Sequence, residues 1–291
     1  MESVKMEANR KKVAVITDSA CDLPDDILSK YDIRFVPLRL IYSGGEVRDR
    51  LEITPEQVYD MLPREIPKSS LPLPADVIAL YDQLADDGYT DALHICISSG
   101  LSGTYNLIRL LAEDYTRMKI RVIDTKSLSM QEGLIVLNCA RMLEKTQELD
   151  DVVAYADRLR EHSLGMFVIH TLTYLRKGGR IGLVEGALGT MLHLKPVIYV
   201  NPNGIYETLT KAIGHIKAVE SLVREISTRF RMTKVQLAVM HGAAPAEGEK
   251  LLIRLKGLLD VEESFLLPIS PVLGVHTGTG LLGVIACKST V

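Results

Sequence analysis

The chain has 291 residues, 47% of them hydrophobic, and a formal net charge of −3. That is long enough to bury a sizeable core in one or two domains, and the slight negative charge provides no basic field to attract nucleic acid. There is no tryptophan and there are only four phenylalanines, so the stacking aromatics used by single-strand binders are scarce.

The four cysteines, Cys21, Cys96, Cys139 and Cys287, show neither a CxxC pair nor close Cys/His spacing. No zinc site, disulfide framework or cofactor motif is expected. Residues 1–12 are polar, mixed in charge and without the apolar core of a secretory signal, and they read as a flexible tail. No apolar run approaches the ~20 residues of a membrane span, so a cytoplasmic location is expected.

Strands are predicted at Val13–Thr17, Ile33–Ile41, Ala92–Ile97, Ile120–Ile123, Gly165–Ile169, Pro196–Val200, Val235–Met240, Glu263–Leu267 and Leu281–Cys287. Helices are predicted between them at Pro24–Lys30, Pro55–Leu62, Pro74–Asp86, Thr104–Met118, Gln131–Glu144, Asp150–His162, Gly186–Met191, Ala212–Phe230 and Ala246–Leu258. Strands separated by helices imply βαβ units, hence an α/β fold with a mostly parallel sheet. Prolines at 24, 55 and 74 suit first helical turns, Thr54 is placed as an N-cap, and Gly88 can end the helix before it. The approach to Gly165 is the best candidate for a domain boundary.

The most informative stretch is Ile97-Ser98-Ser99-Gly100-Leu101-Ser102-Gly103-Thr104-Tyr105, which leaves the end of a buried strand and enters a helix. In open α/β sheets ligands bind beyond the carboxyl ends of strands, and hydroxyls there supply neutral donors to an oxyanion or carboxylate. Four other segments combine polar residues or glycines at strand ends: Asp18-Ser19, Lys68-Ser69-Ser70, Leu175–Arg180 with Gly178 and Gly179, and Val275–Gly280 with His276 and Gly278. Gly278–Gly283 matches G-x-G-x-x-G. The dinucleotide fingerprint, however, needs a following helix and a later acidic residue, and a short strand-like run follows here instead.

Taken together, VAVITDSACDLP, KSSLP, ISSGLSGTYN, VIDTKSLSMQEG, LTYLRKGGRIG, LKPVIYVNPNGIYE and GVHTGTGLLG resemble the DegV family of bacterial fatty-acid-binding proteins, from about Val13 to Cys287. The resemblance implies two α/β domains, 13–163 and 164–291, with a long-chain fatty acid between them and its acyl chain in a tunnel of the second. It implies that the carboxyl group is held by Ser69 and Ser99, with His276 close by. Further candidates are Ser19, Ser102, Gly178, Gly179, Arg180 and Gly278, the 171–200 segment shaping the tunnel. It also implies a carrier without catalysis that presents the lipid to a fatty acid kinase.

Three positions depart from the family pattern. Ser69 stands for a threonine, Leu71 for a glutamine and Ile213 for an arginine. The last bears on the kinase partner more than on lipid binding. Two alternatives remain from the residues themselves. One is a serine hydrolase or acyltransferase using Ser99 or Ser102 with His276 and Asp18, although no G-x-S-x-G elbow is present. The other is a regulatory protein with a degenerate site.

Overall fold

The computed structural model describes residues 12–146, 148–188 and 194–291. Residues 1–11 of the expected tail, and the end of the helix expected at 186–191, lie outside the described residues. The first half runs β1 (Val13–Asp18), a single 3-10 turn, α1 (Asp25–Lys30), β2 (Ile33–Val36), β3 (Arg39–Tyr42), β4 (Gly45–Arg48), α2 (Pro55–Met61), β5 (Lys68–Ser70), α3 (Pro74–Asp86), β6 (Asp91–Cys96), α4 (Thr104–Asp114), β7 (Lys119–Asp124), α5 (Ser129–Leu143) and α6 (Leu149–Glu161). The second half adds β8 (Ser163–Val168), α7 (Thr173–Lys177), α8 (Val184–Leu188), β9 (Leu194–Val200), β10 (Tyr206–Ile213), α9 (His215–Arg229), β11 (Lys234–His241), α10 (Pro245–Lys256), β12 (Asp260–Pro268), α11 (Pro271–Thr277) and β13 (Leu282–Lys288).

A four-stranded sheet of order β2-β1-β6-β7 is parallel throughout. β1 reads Val-Ala-Val-Ile-Thr-Asp with its last five residues buried. Such a run without alternation is what a parallel strand covered on both faces requires. The chain then passes at Ser163 into a six-stranded mixed sheet of order β10-β9-β8-β13-β11-β12, in which only β11 and β12 are parallel. A small antiparallel sheet, β4-β3-β5, sits beside the first.

Local chemistry explains several boundaries. Thr54 and Gln57 close a reciprocal capping box ahead of Pro55 at the start of α2, satisfying two helix-end donors at once. The strand expected over 33–41 is instead two strands in different sheets, broken around Pro37, which has no amide to donate to a ladder. The helix expected to begin at Ala212 begins at His215. Ala212 and Ile213 end β10, and Gly214, at φ +83, makes the sharp exit. α11 occupies residues expected to be part of a glycine-rich loop, so His276 lies in the last turn of a helix.

The largest buried cluster draws on both halves. Val15, Leu93 and Ile95 share it with Ile198, Ala238 and Ile285, and α5 lies between through Met130, Leu134 and Leu137. This continuity fixes the two sheets relative to each other and holds the serine loop against the second half. Among the described residues, no helix is long and apolar enough to cross a membrane.

Candidate functional site

Between the sheets lies a pocket of about 180 Å³ whose polar groups come from Ser69 and Ser70 of β5, Ser102 of the serine loop, Arg180 after α7 and His276 of α11, set among apolar side chains that include Leu38, Leu71, Ile97 and Val272. Leu128, Tyr206 and Leu273 line both this pocket and a narrow apolar channel of about 50 Å³. The channel continues past Met166, Phe167, Met240, Leu281 and Ile285. Two of the hydroxyls on its wall are engaged by the protein itself: Thr277 donates to Leu273 O at 3.1 Å, and Ser129 donates to Asp22. A pocket that carries a cation and several polar groups thus adjoins an apolar channel.

The pocket centres on Ser69 Oγ and His276 Nε2, 2.8 Å apart. His276 Nδ1 is buried without a partner, and the space a Cβ would occupy at Gly178 is taken by that same ring edge. A buried N–H without an acceptor costs more than a lone pair without a donor. On this ground the proton is assigned to Nε2, which donates to Ser69 Oγ. The Ser69 proton is then free to point at a ligand. Burial, and then the nearby Arg180 cation, push the His276 pKa down to about 4, so the ring is neutral at neutral pH.

Arg180 supplies the pocket's positive charge. Its guanidinium bonds only backbone carbonyls, Leu101 O at 3.4 Å and Gly178 O at 2.5 Å, and among the described residues it forms no ion pair. A cation without an anion, beside two serine hydroxyls and a neutral imidazole, suits a carboxylate. Ser102 is held by accepting the Thr104 amide at 3.2 Å and by a 2.8 Å contact with the Thr104 hydroxyl.

The remaining candidates fall elsewhere. Ser99, expected at the carboxyl group, does not line the pocket. Its hydroxyl accepts from Lys126 Nζ at 2.8 Å and its amide donates to Asp124 at 3.1 Å, and this pair holds it on the opposite side of the loop. Ser98 bonds Gly204 O, pinning the loop to the second half. Ser19 is buried and accepts the Leu38 amide. Gly178 makes room for His276, whereas Gly278 makes room for the Tyr174 ring. Gly179, at φ +71, has no contact of this kind and turns the chain. Arg180, a further candidate from the segment expected to shape the tunnel, lines the pocket itself.

The triad weighed from sequence is not assembled. Asp18 accepts the Ala20 and Ile97 amides, Ser99 is held by Lys126, Ser102 is bonded to Thr104, and His276 meets Ser69 through Nε2 with no carboxylate at Nδ1 to orient it. Of the departures, Leu71 lines the pocket with an apolar side chain. Ile213 is 66% exposed at the end of β10 and lines no part of the pocket. His215, two residues later, packs against His170 with ring centroids 4.2 Å apart and the rings tilted by 52°.

A family model described as "Uncharacterised protein, DegV family" matches residues 12–289. The chain belongs to the DegV family. A DegV domain-containing protein of Clostridium acetobutylicum is 40% identical over 278 residues, covering 96% of this chain and 99% of the relative. Among solved structures, a fatty-acid-binding DegV family protein of Thermus thermophilus is 31% identical with a TM-score of 0.87, covering 95% of this chain and 99% of its own. A stearic acid-binding protein of Eubacterium ventriosum is 28% identical with a TM-score of 0.86, over 95% and 98% of the two chains. This DegV chain matches both over 95% of its length, with the same α/β architecture.

Proposed function

We propose that this DegV protein binds a long-chain fatty acid, with the carboxyl group in the pocket of Ser69, Ser102, Arg180 and His276 and the acyl chain in the adjoining channel. The observation that carries this reading is the sharing of Leu128, Tyr206 and Leu273 by a cation-bearing polar pocket and an apolar channel. An amphiphile with one anionic end matches that division. Each methylene buried contributes ~0.8 kcal/mol, less the cost of ordering a flexible chain. A buried carboxylate is tolerated only when its oxygens are hydrogen-bonded or paired. Met166 and Met240 give the channel unbranched walls that re-pack around chains of different shape. The fatty acids bound by the Thermus thermophilus and Eubacterium ventriosum relatives support the same ligand class.

In this reading the protein is a carrier, and a fatty acid kinase phosphorylates the carboxyl group it presents. The lowered basicity of His276 and its lack of a carboxylate partner argue against hydrolysis by the Ser69–His276 pair. Calorimetric titration of delipidated protein with palmitate and with its methyl ester tests the head-group assignment. The acid should bind and the ester, which offers no anion, should bind far more weakly. Equal binding of the two would overturn it. Loaded protein incubated with a fatty acid kinase and ATP should yield an acyl phosphate that hydroxylamine traps as a hydroxamate. No hydroxamate from loaded protein would remove the kinase role and leave the lipid site.

A further inference from the structure

The apolar channel has a second end, where Gln131 and Val200 stand between it and a further cleft. Gln131, in the first turn of α5, is 8% exposed. Together with Val200 it lines both the channel and a much larger cleft of about 890 Å³ on the other side. The cleft is polar, walled by Lys126, Arg160, Glu161, Asn201 and Arg229. Gln131 Nε2 donates to Ser163 Oγ at 3.1 Å, and Ser163 in turn donates to Arg160 O at 3.2 Å. The amide oxygen lies over Gly165, where a Cβ would come within 2.7 Å of it. The amide is therefore anchored across the start of β8, in space that only a glycine at 165 leaves open.

This arrangement rests on the fatty-acid reading and gives it a length scale. We propose that Gln131 is the stop that limits acyl-chain length. The methyl end of the lipid runs from the Ser69 pocket as far as the amide, and a longer chain must break the bond to Ser163 and expose its last methylenes to the polar cleft. A side chain that is polar at its tip and hydrogen-bonded to the wall resists displacement more than a methionine in the same place, because an unpaired buried amide is costly.

The test is the affinity of delipidated protein for saturated fatty acids of increasing length, measured on the wild type, Gln131→Ala and Ser163→Ala. Wild-type affinity should rise with length to a limit and then fall. Gln131→Ala should match the wild type below the limit and hold acids beyond it by about tenfold more tightly, the scale of small steric changes in an apolar pocket. Ser163→Ala, which leaves the amide in place but unanchored, should shift the limit the same way by less. A limit that is identical in all three proteins overturns the stop while leaving the lipid site intact. A wild type that binds no acid of any length overturns the fatty-acid reading and the stop with it. If Gln131→Ala fails to fold, as judged by its melting and its affinity for short acids, Ser163→Ala decides by the same criterion.

Discussion

Ser69 Oγ and His276 Nε2 lie 2.8 Å apart although 207 residues separate them in the chain. The contact joins the edge strand β5 of the small sheet to the last turn of α11, so the pocket exists only when the two halves are assembled. Two carboxylates from the first half hold α11 in place. Asp49 accepts the Val272 amide at 2.9 Å and Asp22 accepts the Ser270 amide at 3.0 Å, where the first amides of a helix lack partners of their own.

Ser69→Ala removes the donor expected to face the carboxyl group. It should weaken fatty-acid binding by about 1–3 kcal/mol, since a buried charged acceptor loses a partner. Ser102→Ala should act in the same direction, whereas Ser99→Ala, whose hydroxyl belongs to Lys126, should leave affinity nearly unchanged. Displacement of a fluorescent fatty acid from the three variants checks the ranking. A larger loss in Ser99→Ala than in Ser102→Ala would reverse the assignment.

Arg180→Gln removes the one cation that lines the pocket among the described residues and should cost about 1.5–3 kcal/mol of binding, the range for hydrogen bonds to charged groups. A cation beside a bound carboxylate favours its ionised form. The deficit of the variant should therefore be larger at pH 8, where the ligand must bind as an anion, than at pH 5. An equal deficit across that range would show that Arg180 does not meet the carboxylate.

Gly178→Ala puts a methyl group where His276 Nδ1 lies. The imidazole must move away from Ser69, and lipid affinity should fall as far as it does in His276→Ala. Wild-type affinity in Gly178→Ala would mean that the ring position does not matter to the site.

Burial raises the pKa of Asp49 to about 7, against the pull of the Ser19 and Val272 donors. In the unfolded chain the same group titrates at its ordinary value near 3.8. The folded protein thus binds the extra proton between these values. Its contribution to stability is fully present below the unfolded value and is lost as pH rises through about 7. Asp49→Asn cannot ionise. The wild type should lose stability relative to this variant between pH 4 and pH 8, by an amount of the order of a few kcal/mol. Urea denaturation at both pH values measures the difference, and a constant gap would place the titration elsewhere.

Much of the architecture is legible in local patterns. The apolar run Val13–Thr17, the prolines opening α2 and α3, and the serine loop before α4 each follow from side-chain chemistry within a few residues. Errors arise where distant contacts decide. β10 pairs with β9 from Tyr206 to Ile213, but Lys211-Ala212-Ile213 alone also suits a helix start. α11 contains Gly274 and precedes Gly278 and Gly280, a composition that reads as loop until its N-terminal amides find Asp22 and Asp49. At the site, Ser69 and His276 could be singled out through a family resemblance. The choice between Ser99 and Ser102 turns on Lys126 and Asp124, and the placing of Arg180 turns on the carbonyls of Leu101 and Gly178. Tyr206 and Gln131 carry no sequence signal of their roles, which come from two cavities meeting at their side chains.

The most direct test of the central claim is native mass spectrometry of the purified protein, followed by denaturing extraction and lipid identification. The account predicts a stoichiometric mass increment that resolves into a long-chain fatty acid and is diminished in the Ser69→Ala, Arg180→Gln double variant. An unchanged apo mass after incubation with a panel of fatty acids would contradict it.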